Sequence, residues 1–171
     1  MAEQPPFHRL IAQWPDAAID LVLQWQTPDQ IQAYLAALGV DTSPVLRSPL
    51  AVLRDRQATP LDGALLACAA LRAQGHPPQL AVAFGDDDGL VAAALFQQGP
   101  GWSLLQHDGR PTGAFALYPS PDAALQALAS GLAGEVRQAI VPLQPLDAQD
   151  WMGDDGQLGG LLAAIESALA I

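Results

Sequence analysis

Four groups of residues carry side chains able to act on a substrate. Thr59-Pro60-Leu61-Asp62 puts a hydroxyl and a carboxylate three positions apart at the start of an apolar run. Cys68 is the single thiol. His107-Asp108 is an adjacent imidazole and carboxylate, and Asp86-Asp87-Asp88 stands between two glycines. A hydroxyl or thiol needs a base within hydrogen-bond reach before it becomes a nucleophile. A calcium loop needs carboxylates at alternate positions and a closing Glu.

Each group has a structural role that fits it better. A Thr before a helix, with an acid at the third helical position, forms a capping box. Thr59 and Asp62 have that spacing, and Pro60 suits the first helical position. Cys68 lies in "LLACAAL", and an apolar setting keeps a thiol protonated and inert. Adjacent strand residues point to opposite faces, so His107 and Asp108 are poorly placed to act on each other. The Asp86-Asp87-Asp88 run lacks the calcium-loop spacing and predicts a hairpin turn. "GDDGQLGG" near residue 153 is read the same way, partly as acid before a final helix. His76 precedes Pro77-Pro78 as a connecting residue, and His8 falls in a loose N-terminus. Trp14, Trp25, Trp102 and Trp151 are dispersed, as core or interface anchors are.

Composition narrows the functional classes. The 171 residues carry a formal net charge of −11 with half of them hydrophobic, which predicts one folded domain over 1–171 with residues 1–12 loose. Seven Arg scattered from Arg9 to Arg137, with neither Lys nor Asn anywhere, argue against a nucleic-acid partner. Lysine Schiff-base chemistry is excluded outright. One cysteine rules out an internal disulfide. The apolar runs are too short to span a bilayer, and "MAEQPPFHRL" lacks a secretory pattern, so a cytoplasmic protein is expected. No metal or cofactor is implied by these residues.

The elements that must position the candidates are well marked. Thr27-Pro28, Ser48-Pro49, Thr59-Pro60 and Ser120-Pro121 each open an apolar periodic stretch, a hydroxyl cap followed by Pro. Further helices are expected over 16–25 and 158–170, with Gly39 and Gly75 as helix stops. Between 76 and 118 the period shortens. "QLAVAFG", "LVAAALFQQ", "WSLLQHDG" and "GAFALY" read as antiparallel strands between turn signals, and "EVRQAIVPL" as one more. "LVAAAL" is ambiguous between strand and helix on pattern alone. Helices followed by a meander make an α+β domain.

These stretches, from about residue 17 to Trp151, resemble small bacterial transglutaminase-like domain proteins, which belong with the papain-like cysteine enzymes. "SPLAVLRDRQATPLDGALLACAALRAQGHPP" carries the likeness most strongly. The resemblance implies a central helix, begun by a nucleophilic Cys, packed on an antiparallel sheet. In a family segment such as "AHCLEGALLAA" the Cys falls here on Pro60, while Asp62 and Gly63 match. The family His, at the start of the next long strand, falls on Val91, or on Leu90 or Gly89 in a shifted register. Asp108 falls at or near the orienting acid.

With no nucleophile at Pro60 and no base near Val91, the resemblance implies a non-catalytic domain kept as a binding or regulatory module for a protein or peptide partner. Thr59, Asp62, Trp102, His107 and Asp108 are the expected lining of a vestigial cleft. A second reading is an acidic protein-binding factor of chaperone or inhibitor type, steered by its charge to a basic partner. A third, less favoured, is an enzyme with a rearranged site around Thr59, His107 and Asp108.

Overall fold

Each hydroxyl–Pro pair that the sequence marks does begin a helix. The computed structural model describes residues 7–42, 46–86, 89–107 and 116–170. Its helices are α1 (Phe7–Leu10), α2 (Asp16–Gln24), α3 (Pro28–Ala37), α4 (Pro49–Asp55), α5 (Pro60–Ala73), α6 (Pro121–Ala129) and α7 (Gly159–Leu169). The Ser48 and Ser120 hydroxyls accept from Ala51 N at 3.3 Å and Ala123 N at 3.1 Å. At Thr27 the reciprocal bond is made by Gln30, whose Oε1 accepts from Thr27 N. Gly75, at φ 92°, takes the left-handed conformation that ends α5. Gly39 does not stop α3 in that way. It opens β1 (Gly39–Val40), which pairs in parallel with β2 (Gln57–Ala58) immediately before α5.

The main sheet consists of β3 (Gln79–Phe84), β4 (Leu90–Gln98), β5 (Gly101–Leu105) and β6 (Arg137–Pro142), in the order β5-β4-β3-β6, antiparallel throughout. The Ala-rich "LVAAAL" is therefore strand. Its small side chains alternate between two covered faces, where a long helix on one side and α6 on the other leave room for little else. Of the expected strand "GAFALY", residues 113–115 lie outside the described residues. Tyr118 contributes one bridge to Trp102, with N···O distances of 2.9 and 2.8 Å.

Helix α5 packs on one sheet face and α6 on the other. Leu80, Val82, Ala92, Ala94 and Phe96 meet the α5 side in the larger core. Ala81, Ala93 and Leu95 meet Ala124, Leu125 and Leu128 of α6 in the smaller one. The period of two makes this division. Every residue of α5 from Leu61 to Leu71 is buried, because α2, α3 and α4 rest on its outer side. One expectation fails at the N-terminus. The residues before 13 are not all loose, since Phe7–Leu10 is helical and Ile11 is only 1% exposed. Two apolar side chains, Phe7 and Leu10, dock on the core beside Ile11 and offset the ordering cost.

Candidate functional site

The first turn of α5 is where the resemblance places a reaction centre, and its polar groups are fully engaged. Thr59 Oγ1 accepts from Asp62 N at 3.1 Å, and Asp62 Oδ2 accepts from Thr59 N at 3.1 Å. The capping box read from the sequence is formed on both sides. Thr59 C=O accepts from Gly63 N at 2.9 Å, as an N-cap carbonyl does.

Asp62 is 0% exposed, which costs several kcal/mol for a lone carboxylate. Its compensation comes from the segment before α4. Arg47 N donates to Asp62 Oδ1 at 2.9 Å, and Arg47 Nη1 lies 3.4 Å from Asp62 Oδ2. The same guanidinium pairs with Asp41 and, through Nε at 3.1 Å, with Asp55. One cation thus gathers three carboxylates, and the partial positive charge at the α5 N-terminus adds to it. Arg54 is the first cause, and Arg47 a further one, holding the Asp55 carboxyl below its usual range. The network fastens Asp41 after β1, Arg47 and Asp55 of α4 to the start of α5. Asp155 extends it, accepting from Ser48 N at 2.7 Å. Asp155 and Asp154, whose Oδ1 accepts from Gly156 N at 2.9 Å, therefore serve a short 3-10 turn (Asp155–Gln157) and α4 rather than the start of α7.

His107 follows β5 and turns its side chain to the α5 face. A Cβ built on Gly63 would lie 2.5 Å from His107 Cβ, so glycine is required for this contact. Gln32 of α3 pins the segment, accepting from Gln106 N at 3.3 Å and donating to Gln106 O at 3.0 Å. The His107 ring is 3% exposed, with Nδ1 2.8 Å from Leu35 O. A carbonyl only accepts, so Nδ1 carries a proton, and Nε2 is buried without a partner among the described residues. The expected place of His107 beside the start of α5 matches this position, but its burial and its contact with Gly63 were not foreseen from the sequence. The missed signal was Gly63, a helix-interior glycine that makes room for it.

The remaining candidates separate. Thr59, Asp62 and His107 share the first turn of α5, but no hydrogen bond joins Thr59 to His107 among the described residues. Asp108 lies outside the described residues, as do Asp87 and Asp88. Val91, the expected position of the family base, packs toward α6 with Ala93 and Leu95, whereas Leu90 meets the α5 face. Pairing of Val91 with Ala83 fixes that choice of face. Trp102 is not part of the cleft. It also packs on the α6 side and lines a pocket of about 510 Å³ with His76, Phe96 and Gln97, at the opposite end of α5. Over the fourteen residues of α5, the two ends are roughly 20 Å apart. Cys68 is fully buried. Its Sγ donates to Gln79 O at 3.4 Å, and burial pushes the thiol pKa far up. Asp86 accepts from Glu135 N at 2.8 Å, tying the β3–β4 connection to the start of β6.

Among the described residues there is no group of three or more His, Cys, Asp or Glu that could hold a metal ion, and no helix long and apolar enough to cross a membrane.

No protein-family model and no curated protein matches this chain. Solved structures do. Legionella pneumophila LapG aligns over 98% of this chain and 92% of its own, at 15% identity and a TM-score of 0.48. Its calcium-bound form aligns over 68% and 70%, at 16% and 0.43. A chain from Cytophaga hutchinsonii, described provisionally as a cysteine protease, aligns over 82% of this chain and 54% of its own, at 12% and 0.44. Scores and identities this low carry no argument about chemistry.

Proposed function

We propose that this chain is a non-catalytic transglutaminase-like domain that works as a binding or regulatory module. The observation supporting this most is the bonding of Asp62. A helix start in this fold serves acyl chemistry when it presents a nucleophile and free N–H groups to a substrate. Here Pro60 offers neither, Asp62 N is held by Thr59 Oγ1, and Thr59 N by the Asp62 carboxylate. The only imidazole at this turn, His107, uses Nδ1 on Leu35 O. The arrangement suits a rigid cap that holds the helices against the sheet.

The direct test is an assay of the purified chain for amidase, protease and transglutaminase turnover on generic peptide and amide substrates, with Thr59→Ala alongside. This reading expects no turnover above buffer from either protein. Turnover abolished by Thr59→Ala would favour the rearranged enzyme instead.

A second reading, an acidic protein-binding factor, is favoured by the net charge of −11. It expects capture of a basic partner that is released by salt within the physiological range.

A further inference from the structure

We propose that the furrow between α2 and α4 binds a single-chain carboxylate amphiphile, its alkyl body along the apolar floor and its carboxylate at Arg56. This site is separate from the first turn of α5, and the proposal stands whether or not that turn is catalytic.

The furrow exists because α2 and α4 both rest on α5. Its volume is about 520 Å³, within the range of small-molecule sites. Leu21, Leu50 and Leu53 make an apolar floor and Ala17 leaves it open, while Arg54 and Arg56 stand on the α4 wall. The polar lining is divided, with Arg54 and Arg56 on the α4 wall and Asp20 and Gln24 on the α2 wall. An apolar floor with its cations on one side fits an alkyl chain whose anionic head lies at the α4 wall. The wall is too short for a docked helix. The seven residues of α4 extend only about 10 Å.

Arg56 supplies the second, independent observation. It ends α4 in the left-handed conformation, φ 54° and ψ 32°, with its N–H on Val52 O at 2.8 Å. Glycine or asparagine normally takes that position, since a Cβ there is strained. Strain of this kind persists where the surrounding structure holds it, here through Val52 O and through Gly39 N, which donates to Arg56 O at 3.2 Å, and an arginine rather than a glycine occupies the position. The other cations nearby are engaged: Arg47 with three carboxylates, and Arg54 with Asp55 at 2.9 Å. Arg72 is likewise paired, with Asp147. Arg56 has no ion pair among the described residues, in a chain whose net charge is −11. Asp20, exposed on the α2 wall, repels an anion and so directs the carboxylate to the Arg56 side.

The test is titration of the ¹⁵N-labelled protein with decanoate below its micellar range, followed by amide shifts. One saturable site is expected, with shifts centred on α2 and α4. Arg56→Gln should weaken decanoate about fivefold, the equivalent of one exposed ion pair, and Asp20→Asn should tighten it by a smaller factor. Ala17→Trp, at an exposed position, should fill the furrow and abolish binding. Arg56→Gly should lose affinity like Arg56→Gln yet melt higher, separating ligand contact from fold damage. Equal binding of decyltrimethylammonium, several sites per chain, or shifts centred elsewhere would overturn the proposal.

Discussion

Gly63 and His107 touch so closely that a single added methyl on the glycine would sit 2.5 Å from His107 Cβ. A helix-interior glycine normally loses about 0.5–1 kcal/mol to alanine, so Gly63→Ala would ordinarily stabilise α5. Here the contact reverses the sign. Gly63→Ala should destabilise by about 1–3 kcal/mol, the usual cost of overpacking. Urea denaturation measures it, and a stabilised variant would place His107 elsewhere.

Asp62 bears more than the cap. Asp62→Ala leaves Arg47 N and Thr59 N without their acceptor at a fully buried position. The expected loss is about 2–4 kcal/mol, larger than for Thr59→Ala. Equal losses for the two variants would mean that the Arg47 bonds contribute little.

The sheet register forecasts the outcome of reinstating chemistry. Pro60→Cys with Val91→His should show no turnover, because residue 91 faces α6 while the thiol would lie on the α5 side. Turnover on a peptide amide substrate by that double variant would contradict the register.

Cys68 should react slowly with a thiol reagent in the folded protein and fast in denaturant. The thiol is fully buried and its thiolate strongly disfavoured by that burial. Fast labelling at neutral pH without denaturant would show that α5 opens locally.

His76 provides a pH prediction. Burial lowers its pKa from the ordinary value, so near pH 6 the unfolded chain binds more protons than the folded one. Stability therefore falls as pH drops from about 6.5 toward the depressed folded value. Between pH 7.5 and 5 the unfolding free energy of the wild type should fall relative to that of His76→Gln as the pH is lowered. Parallel curves would remove His76 as a contributor.

Local signals were legible where one residue type has one physical use. Hydroxyl–Pro pairs gave the starts of α3, α4, α5 and α6, and Gly75 gave an end. Gly39 misled because a glycine also serves where a chain begins a close parallel pair. Thr59 and Asp62 could be paired from spacing alone, since both partners lie in one turn. Arg47 could not. Its contacts with Asp41, Asp55 and Asp62 span a fold that no local pattern encodes. Trp102 was misplaced for a related reason. Which sheet face a residue takes depends on register, and which end of α5 it reaches depends on strand direction, both set by long-range pairing.

The most direct test of the whole account is the unfolding free energy of Thr59→Ala, measured with its decanoate affinity on the same sample. If the turn is a cap, stability should fall by about 0.5–2 kcal/mol while decanoate affinity, set at the α2–α4 furrow, stays at the wild-type value. A variant as stable as the wild type would contradict the cap, and with it the account of the α5 start as a structural rather than a reactive turn.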